Sequence, residues 1–141
     1  TTKNQMVTSS LLEAEKRLLG LISQSKKLYK MSSAHIKAEE FATDVYRRLA
    51  KSMYDSYENG MSPDPAMMLN DFSGDDLSEA SEVFYNLEVY SGDEETVKEL
   101  LYTIKLEKLN MRINAETDPT NLMDLFKQRE ELLNEKNTWE E

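Results

Sequence analysis

Glu94-Glu95-Thr96-Val97-Lys98-Glu99-Leu100-Leu101-Tyr102-Thr103-Ile104-Lys105-Leu106-Glu107-Lys108-Leu109-Asn110-Met111-Arg112-Ile113-Asn114-Ala115-Glu116 decides how this chain folds. It holds no Gly or Pro, and its spacing predicts one helix of about 24 residues, from the Asp93 break to Glu116. At 100° per residue, Val97, Leu100, Leu101, Ile104, Met111 and Ala115 fall on one face. Tyr102, Leu106, Leu109 and Ile113 form a second stripe, roughly 150° away, that begins only after the first turns. A helix packed on one side needs one stripe. This one therefore packs on a bundle with its first half and serves two neighbours with its second half.

The second neighbour is the segment that follows. Asp118-Pro119 is a tight turn, with Asp as N-cap and Pro opening a final helix to about Trp139. Its apolar positions are Leu122, Leu125, Phe126, Leu132, Leu133 and Trp139, and Arg129 and Lys136 interrupt the seam. A hairpin with so little apolar area is marginal alone, which makes it a candidate for docking on another protein.

Upstream, nearly every periodic segment reads as helix. Ser10-Leu11-Leu12-Glu13 has the form of a capping box, followed by Leu11, Ala14, Leu18, Leu21 and Ile22 at helical spacing to about Ser23. A short helix is expected around Lys26 to Met31. A long one is expected from about Ala38, through Phe41, Val45, Leu49, Met53 and Tyr57, ending at Asn59-Gly60. Asp64-Pro65 opens a short helix with Met67, Met68, Leu69 and Phe72. Leu77 to about Val89 forms the next, with Ala80, Val83, Phe84 and Leu87. The expected fold is all-α: a bundle of about six helices, then a long helix and a C-terminal helical hairpin. Residues 1–9 are expected to be a disordered or expression-derived N-terminus, 10–105 the bundle, and 106–141 the hairpin. The opening Thr1-Thr2-Lys3-Asn4, without Met, suggests an excised fragment.

Composition excludes several functions. The 141 residues have a formal net charge of −10 and no Cys, so no disulfide framework or thiolate metal site can form. No apolar run is long enough to span a bilayer, and no signal peptide is present. The charge is unevenly spread. Residues 1–51 hold ten Lys and Arg against five acids, 52–92 hold nine acids and no base, and 93–141 hold seven bases against thirteen acids. So acidic a chain is ill suited to phosphate backbones and points to a protein partner. The clusters Lys26-Lys27 with Lys30, and Arg47-Arg48 with Lys51, lack an interleaved aromatic platform and read as solvated faces or complements to the acidic middle.

Catalytic signatures are missing. There is no Gly-rich phosphate loop and no nucleophile elbow, and His35 is the only histidine. His35 reads as a structural residue ahead of a helix. Asp75-Asp76 and Asp93-Glu94-Glu95 are explained by helix N-termini rather than by a metal. Met67-Met68 reads as core. No catalytic residue, cofactor or metal is assigned.

The order and spacing of Ala14-Glu15-Lys16-Arg17-Leu18-Leu19, Tyr54-x-x-Tyr57-Glu58-x-Gly60, Asp64-Pro65-Ala66 and Ala80-Ser81-Glu82 resemble the C-terminal helicase-binding domain of bacterial replicative DNA primase. The resemblance covers about residues 10–139. It implies a non-catalytic part of an RNA-primer-synthesising primosome enzyme, cytoplasmic and at the replication fork, monomeric alone. Its partner would be the N-terminal domain of the hexameric replicative helicase. The N-terminal collar domain of that helicase has a related fold and a similar Ala-Glu-x-x-Leu-Leu start, and is the alternative; an unrelated acidic interaction module is a third. The tract from Tyr54 to Phe72 favours primase. On the primase reading the contact surface is the hairpin, with Met123, Phe126, Arg129, Leu133 and Trp139 as anchors and Leu109 and Ile113 as support or contact. The reason is that interfaces place a few apolar or Arg residues at their centre.

Overall fold

Polar caps divide the apolar pattern into seven helices among the described residues, 7–85 and 93–135 of a computed structural model. These are α1 (Ser9–Gln24), α2 (Lys26–Ser33), α3 (Asp44–Glu58), α4 (Pro65–Leu69), α5 (Gly74–Tyr85), α6 (Glu94–Ala115) and α7 (Pro119–Glu135), with one 3-10 turn at Ala38–Glu40. The described residues contain no strand, so the all-α expectation holds, with five helices rather than about six ahead of the long one.

Side-chain oxygens start most of these helices, because the first turn of a helix has backbone N–H groups without partners. Ser25 accepts from the Leu28 N–H, Asp64 from Ala66, and Asp93 from Thr96. Three starts differ from the sequence expectation. Thr8, not Ser10, caps α1, its hydroxyl accepting from the Leu11 N–H at 3.0 Å. Helix α3 begins at Asp44 rather than near Ala38, because Thr43 caps it and Phe41, in extended backbone, drops its ring into the core. Helix α5 begins at Gly74, ahead of Leu77. Gly60 ends α3 at φ +76°, in the left-handed region that glycine enters freely.

Two apolar cores result. The larger is centred on α1, whose Leu11, Leu18, Leu19 and Ile22 meet Phe41, Leu49 and Met53 from the 41–58 segment, Val83 from α5, and Val97, Leu101 and Ile104 from α6. The smaller lies between α6 and α7 and has Leu109, Leu125 and Leu132 buried, with Tyr102, Leu106 and Ile113 against them. Both stripes of α6 are thus used, one per core. Met111, from the first stripe, is half-buried against the larger core.

Among the described residues, Glu15 and Lys98 are the buried charged side chains, and Glu15 is the one fully enclosed by the bundle. Glu15 on α1 is fully buried among apolar neighbours. Its Oε1 accepts the Ala42 N–H at 2.8 Å, and Lys108 Nζ lies 3.8 Å from Oε2. Loss of hydration pushes its carboxyl up from 4.5 to about 7, against the opposing pull of the Ala42 N–H, Lys108 and Arg47.

Leu49→Ala removes a fully buried side chain from the main core and is expected to lower unfolding free energy by about 3 kcal/mol in urea titration. The Glu15 carboxyl binds its proton more tightly folded than unfolded. Its contribution is therefore fully present below pH 4.5 and is lost as pH rises through about 7. The stability of Glu15→Gln minus that of the parent is expected to grow across this window, by on the order of 2–3 kcal/mol, in urea titrations at successive pH values.

Candidate functional site

The hairpin of α6 and α7 presents the surface that the bundle leaves unfinished. Its turn is held locally: Glu116 Oε2 accepts the Asp118 N–H at 3.1 Å, and Asp118 Oδ1 accepts the Thr120 N–H at 3.0 Å. Pro119, which has no N–H to satisfy, then opens α7. Leu125 and Leu132, seven residues apart, lie on one face of α7 and pack on α6.

The opposite side of α7 carries apolar side chains in solvent. Met123 is 73% exposed, Leu133 51% and Phe126 42%. At 100° per residue these three fall within about 80° of the helix circumference. Arg129 lies beside them. Its guanidinium donates to Asn110 Oδ1 across the hairpin at 2.8 Å and stands 5.3 Å from the centre of the Phe126 ring. That distance suits a cation–π contact, and it fixes Arg129 over the exposed aromatic.

The residues expected to contact a partner therefore separate into two sets. Met123, Phe126 and Leu133 share the outer side of α7, and Arg129 lies at its edge, reaching across to Asn110. Leu109 and Ile113 do not face outward: Leu109 is buried in the small core and Ile113 packs on it. Of the two roles expected for them, they occupy the supporting position. The expected seam residues Phe126 and Leu133 turn away from α6, because Leu125 and Leu132 already fill that face. Trp139 and Lys136 lie outside the described residues.

Other candidates find structural partners. His35 is half-buried, with Nδ1 3.3 Å from Lys105 Nζ. Burial first, and then the Lys105 charge, holds its pKa below the ordinary value. Asp93 caps α6, and its hydrogen bond from Thr96 lowers its pKa. Among the described residues no three His or carboxylate side chains converge on a point where a cation would sit. Met68 is core, whereas Met67 is 68% exposed, so only one of the expected core pair is buried. The basic clusters meet acids and carbonyls of the fold. Arg48 covers the Phe72 ring at 4.3 Å and reaches the Asp71 carbonyl, Lys27 pairs with Glu94 at 2.7 Å, and Lys51 pairs with Asp55 at 3.2 Å. Exposed pairs of this kind contribute little individually. No helix among the described residues is long and apolar enough to cross a membrane.

Sequence reasoning missed Glu15. The signal was present: positions 11, 18, 19 and 22, one and two turns away, are all apolar, so Glu15 shares their buried face.

Comparison with known families matches residues 7–106 to the DnaB-like helicase N terminal domain. Comparison with curated proteins and with solved structures gives no match. The family match overturns the primase assignment, and with it the roles in primer synthesis and in docking onto a helicase from another polypeptide. The tract that favoured primase is explained by packing. Tyr54 donates to the Ile36 carbonyl and Tyr57 to the Ile22 carbonyl, Tyr29 stacks on Tyr57 at 4.6 Å, and Phe72 lies under Arg48. Those aromatics close a helical bundle, a task that does not distinguish the two relatives. The segment from α1 into α6 carries the pattern of the helicase module, and this chain belongs to the DnaB-like helicase N-terminal domain family.

Proposed function

We propose that this chain acts as the N-terminal collar of a hexameric replicative helicase: a non-catalytic, oligomer-forming module that meets a second copy of itself through the outer side of α7. The family match supports the collar role, and a helicase N-terminal domain is a non-catalytic module. The observation that carries the self-association is the stripe of Met123, Phe126 and Leu133, exposed on a helix whose inner face buries only Leu125 and Leu132. Covering that stripe with its own copy adds the apolar contact that the hairpin lacks, and Arg129 over Phe126 supplies an aromatic–guanidinium centre of the kind that dominates interfaces.

In this role the bundle is a rigid support, the hairpin is the adhesive element, and no cofactor or metal is needed. Helicase chemistry lies with residues other than these, because the sequence has no phosphate-binding loop. The site of action is a bacterial replication fork in the cytoplasm.

Sedimentation velocity over a concentration series tests the proposal. The parent is expected to self-associate, and Phe126→Asp is expected to weaken association at least tenfold, about 1.4 kcal/mol, with unchanged helical circular dichroism. Truncation after Glu116 is expected to give a monomer. A parent that remains monomeric at the highest soluble concentration, or association unaffected by Phe126→Asp, contradicts the proposal.

A further inference from the structure

The two cores hand over within α6 between Ile104, the last α6 residue buried in the bundle, and Leu109, the first buried in the hairpin. The intervening residues are Lys105-Leu106-Glu107-Lys108. Leu106 packs on the hairpin side. The other three reach back to the bundle through polar groups. Lys105 meets His35 Nδ1 at 3.3 Å, and Glu107 Oε1 accepts the Thr8 hydroxyl at 2.9 Å. Lys108 donates to the Glu40 carbonyl and faces the buried Glu15 carboxylate at 3.8 Å. Beyond Ile104, among the described residues, Met111 is the α6 side chain that packs on the bundle core. The pose of the hairpin on the bundle is therefore set largely by these polar contacts. Of the three, only the Lys108 contact engages a group inside the core.

Glu15 is poised for this task. Its Oε2 is buried and has no hydrogen-bond donor. The charged and titratable groups facing the carboxylate are Lys108 from α6 and Arg47 and Tyr46 from α3. Arg47 is itself engaged by the Phe41 carbonyl at 3.0 Å. Among the described residues, Lys108 is thus the cation that ties Glu15 to the hairpin.

We propose that Glu15 and Lys108 form a latch that fixes the angle of the hairpin on the bundle, and that a proton on Glu15 opens it. The protonated acid still accepts the Ala42 N–H but no longer attracts the Lys108 ammonium, so the second half of α6 and α7 are released together while the bundle stays folded. The upward displacement of the Glu15 titration toward neutrality is consistent with such a transition near physiological pH. The latch is a property of the single chain and does not depend on self-association.

The absence of cysteine makes a spin-label test direct. Labels at Ser78→Cys on α5 and Lys127→Cys on α7, both exposed, report the bundle-to-hairpin distance by pulsed electron resonance, with labelled chain diluted about tenfold in unlabelled chain. At pH 8 the parent is expected to give one narrow distribution, and Lys108→Met and Glu15→Gln a distribution at least twice as wide. At pH 5.5 the parent is expected to widen to match them, while neither variant changes further and helical circular dichroism is retained throughout. A narrow distribution in Lys108→Met at pH 8, or in the parent at pH 5.5, overturns the latch. So does a pH response that persists in Glu15→Gln, which would assign the titration to His35, or a loss of helix in place of reorientation. If Glu15→Gln does not fold, Lys108→Met and the parent still decide between these outcomes.

Discussion

Helix α6 buries Ile104 in one core and Leu109, five residues later, in another, and everything else in the molecule depends on that change of face. A helix that stayed in the bundle would need the first stripe alone, and α7 would have nothing to pack on. Because the second stripe begins at Tyr102, before the first has ended at Met111, α6 is shared between two partners over its middle turns. The bundle gains a long helix against α1, and Leu125 and Leu132 of α7 gain a footing on Leu109, Tyr102, Leu106 and Ile113. The two cores are unequal. The first draws buried side chains from six helices, α1 to α6, and from the 41–43 segment. The second is closed on one side and leaves Met123, Phe126 and Leu133 in water. Apolar surface grouped in this way on an otherwise acidic chain is where association is favourable.

The same inequality explains how charge is used. The net −10 is ill suited to nucleic acid, and the structure shows much of the basic first third occupied with the fold's own acids and carbonyls. Lys16 lies 3.9 Å from Glu82, Arg48 reaches the Asp71 carbonyl, and Lys27 pairs with Glu94. Among the described residues, Glu15 is the charge most completely removed from water. A buried carboxylate stabilises a fold only when its partners offset lost hydration, and here one oxygen accepts a backbone N–H while the other faces a lysine at ion-pair distance, without a hydrogen bond.

The long-range organisation was legible in the sequence wherever periodicity ran for three turns or more. The double stripe of α6, the break at Asp93, the Asp64 cap, the Gly60 stop and the Asp118-Pro119 turn all appear as expected. Starts were less legible where several hydroxyls compete: Thr8, Ser9 and Ser10 can each cap, and the capping box at Ser10 lost to Thr8, which also gains Glu107. The extended 41–43 segment was hidden because Phe41 fits a helical period as well as a ring dropped into a core. On α7, periodicity placed Phe126 and Leu133 in the seam because it cannot tell an inward from an outward apolar residue when only two inner positions are filled. Family assignment failed for a related reason. The aromatics from Tyr54 to Phe72 are packing residues, and packing is common to both bundles. Residues 7–106 as a whole, rather than those motifs, distinguish them.

In the proposed assembly, a closed bundle supports a hairpin that is completed by contact between copies. Native-state hydrogen exchange, followed amide by amide at several protein concentrations, tests it most directly. The account predicts that amides of α1 and α3 exchange only through global unfolding, whereas those of α7 open at lower free energy and become better protected as concentration rises. Protection of α7 equal to that of α3 and independent of concentration would contradict it.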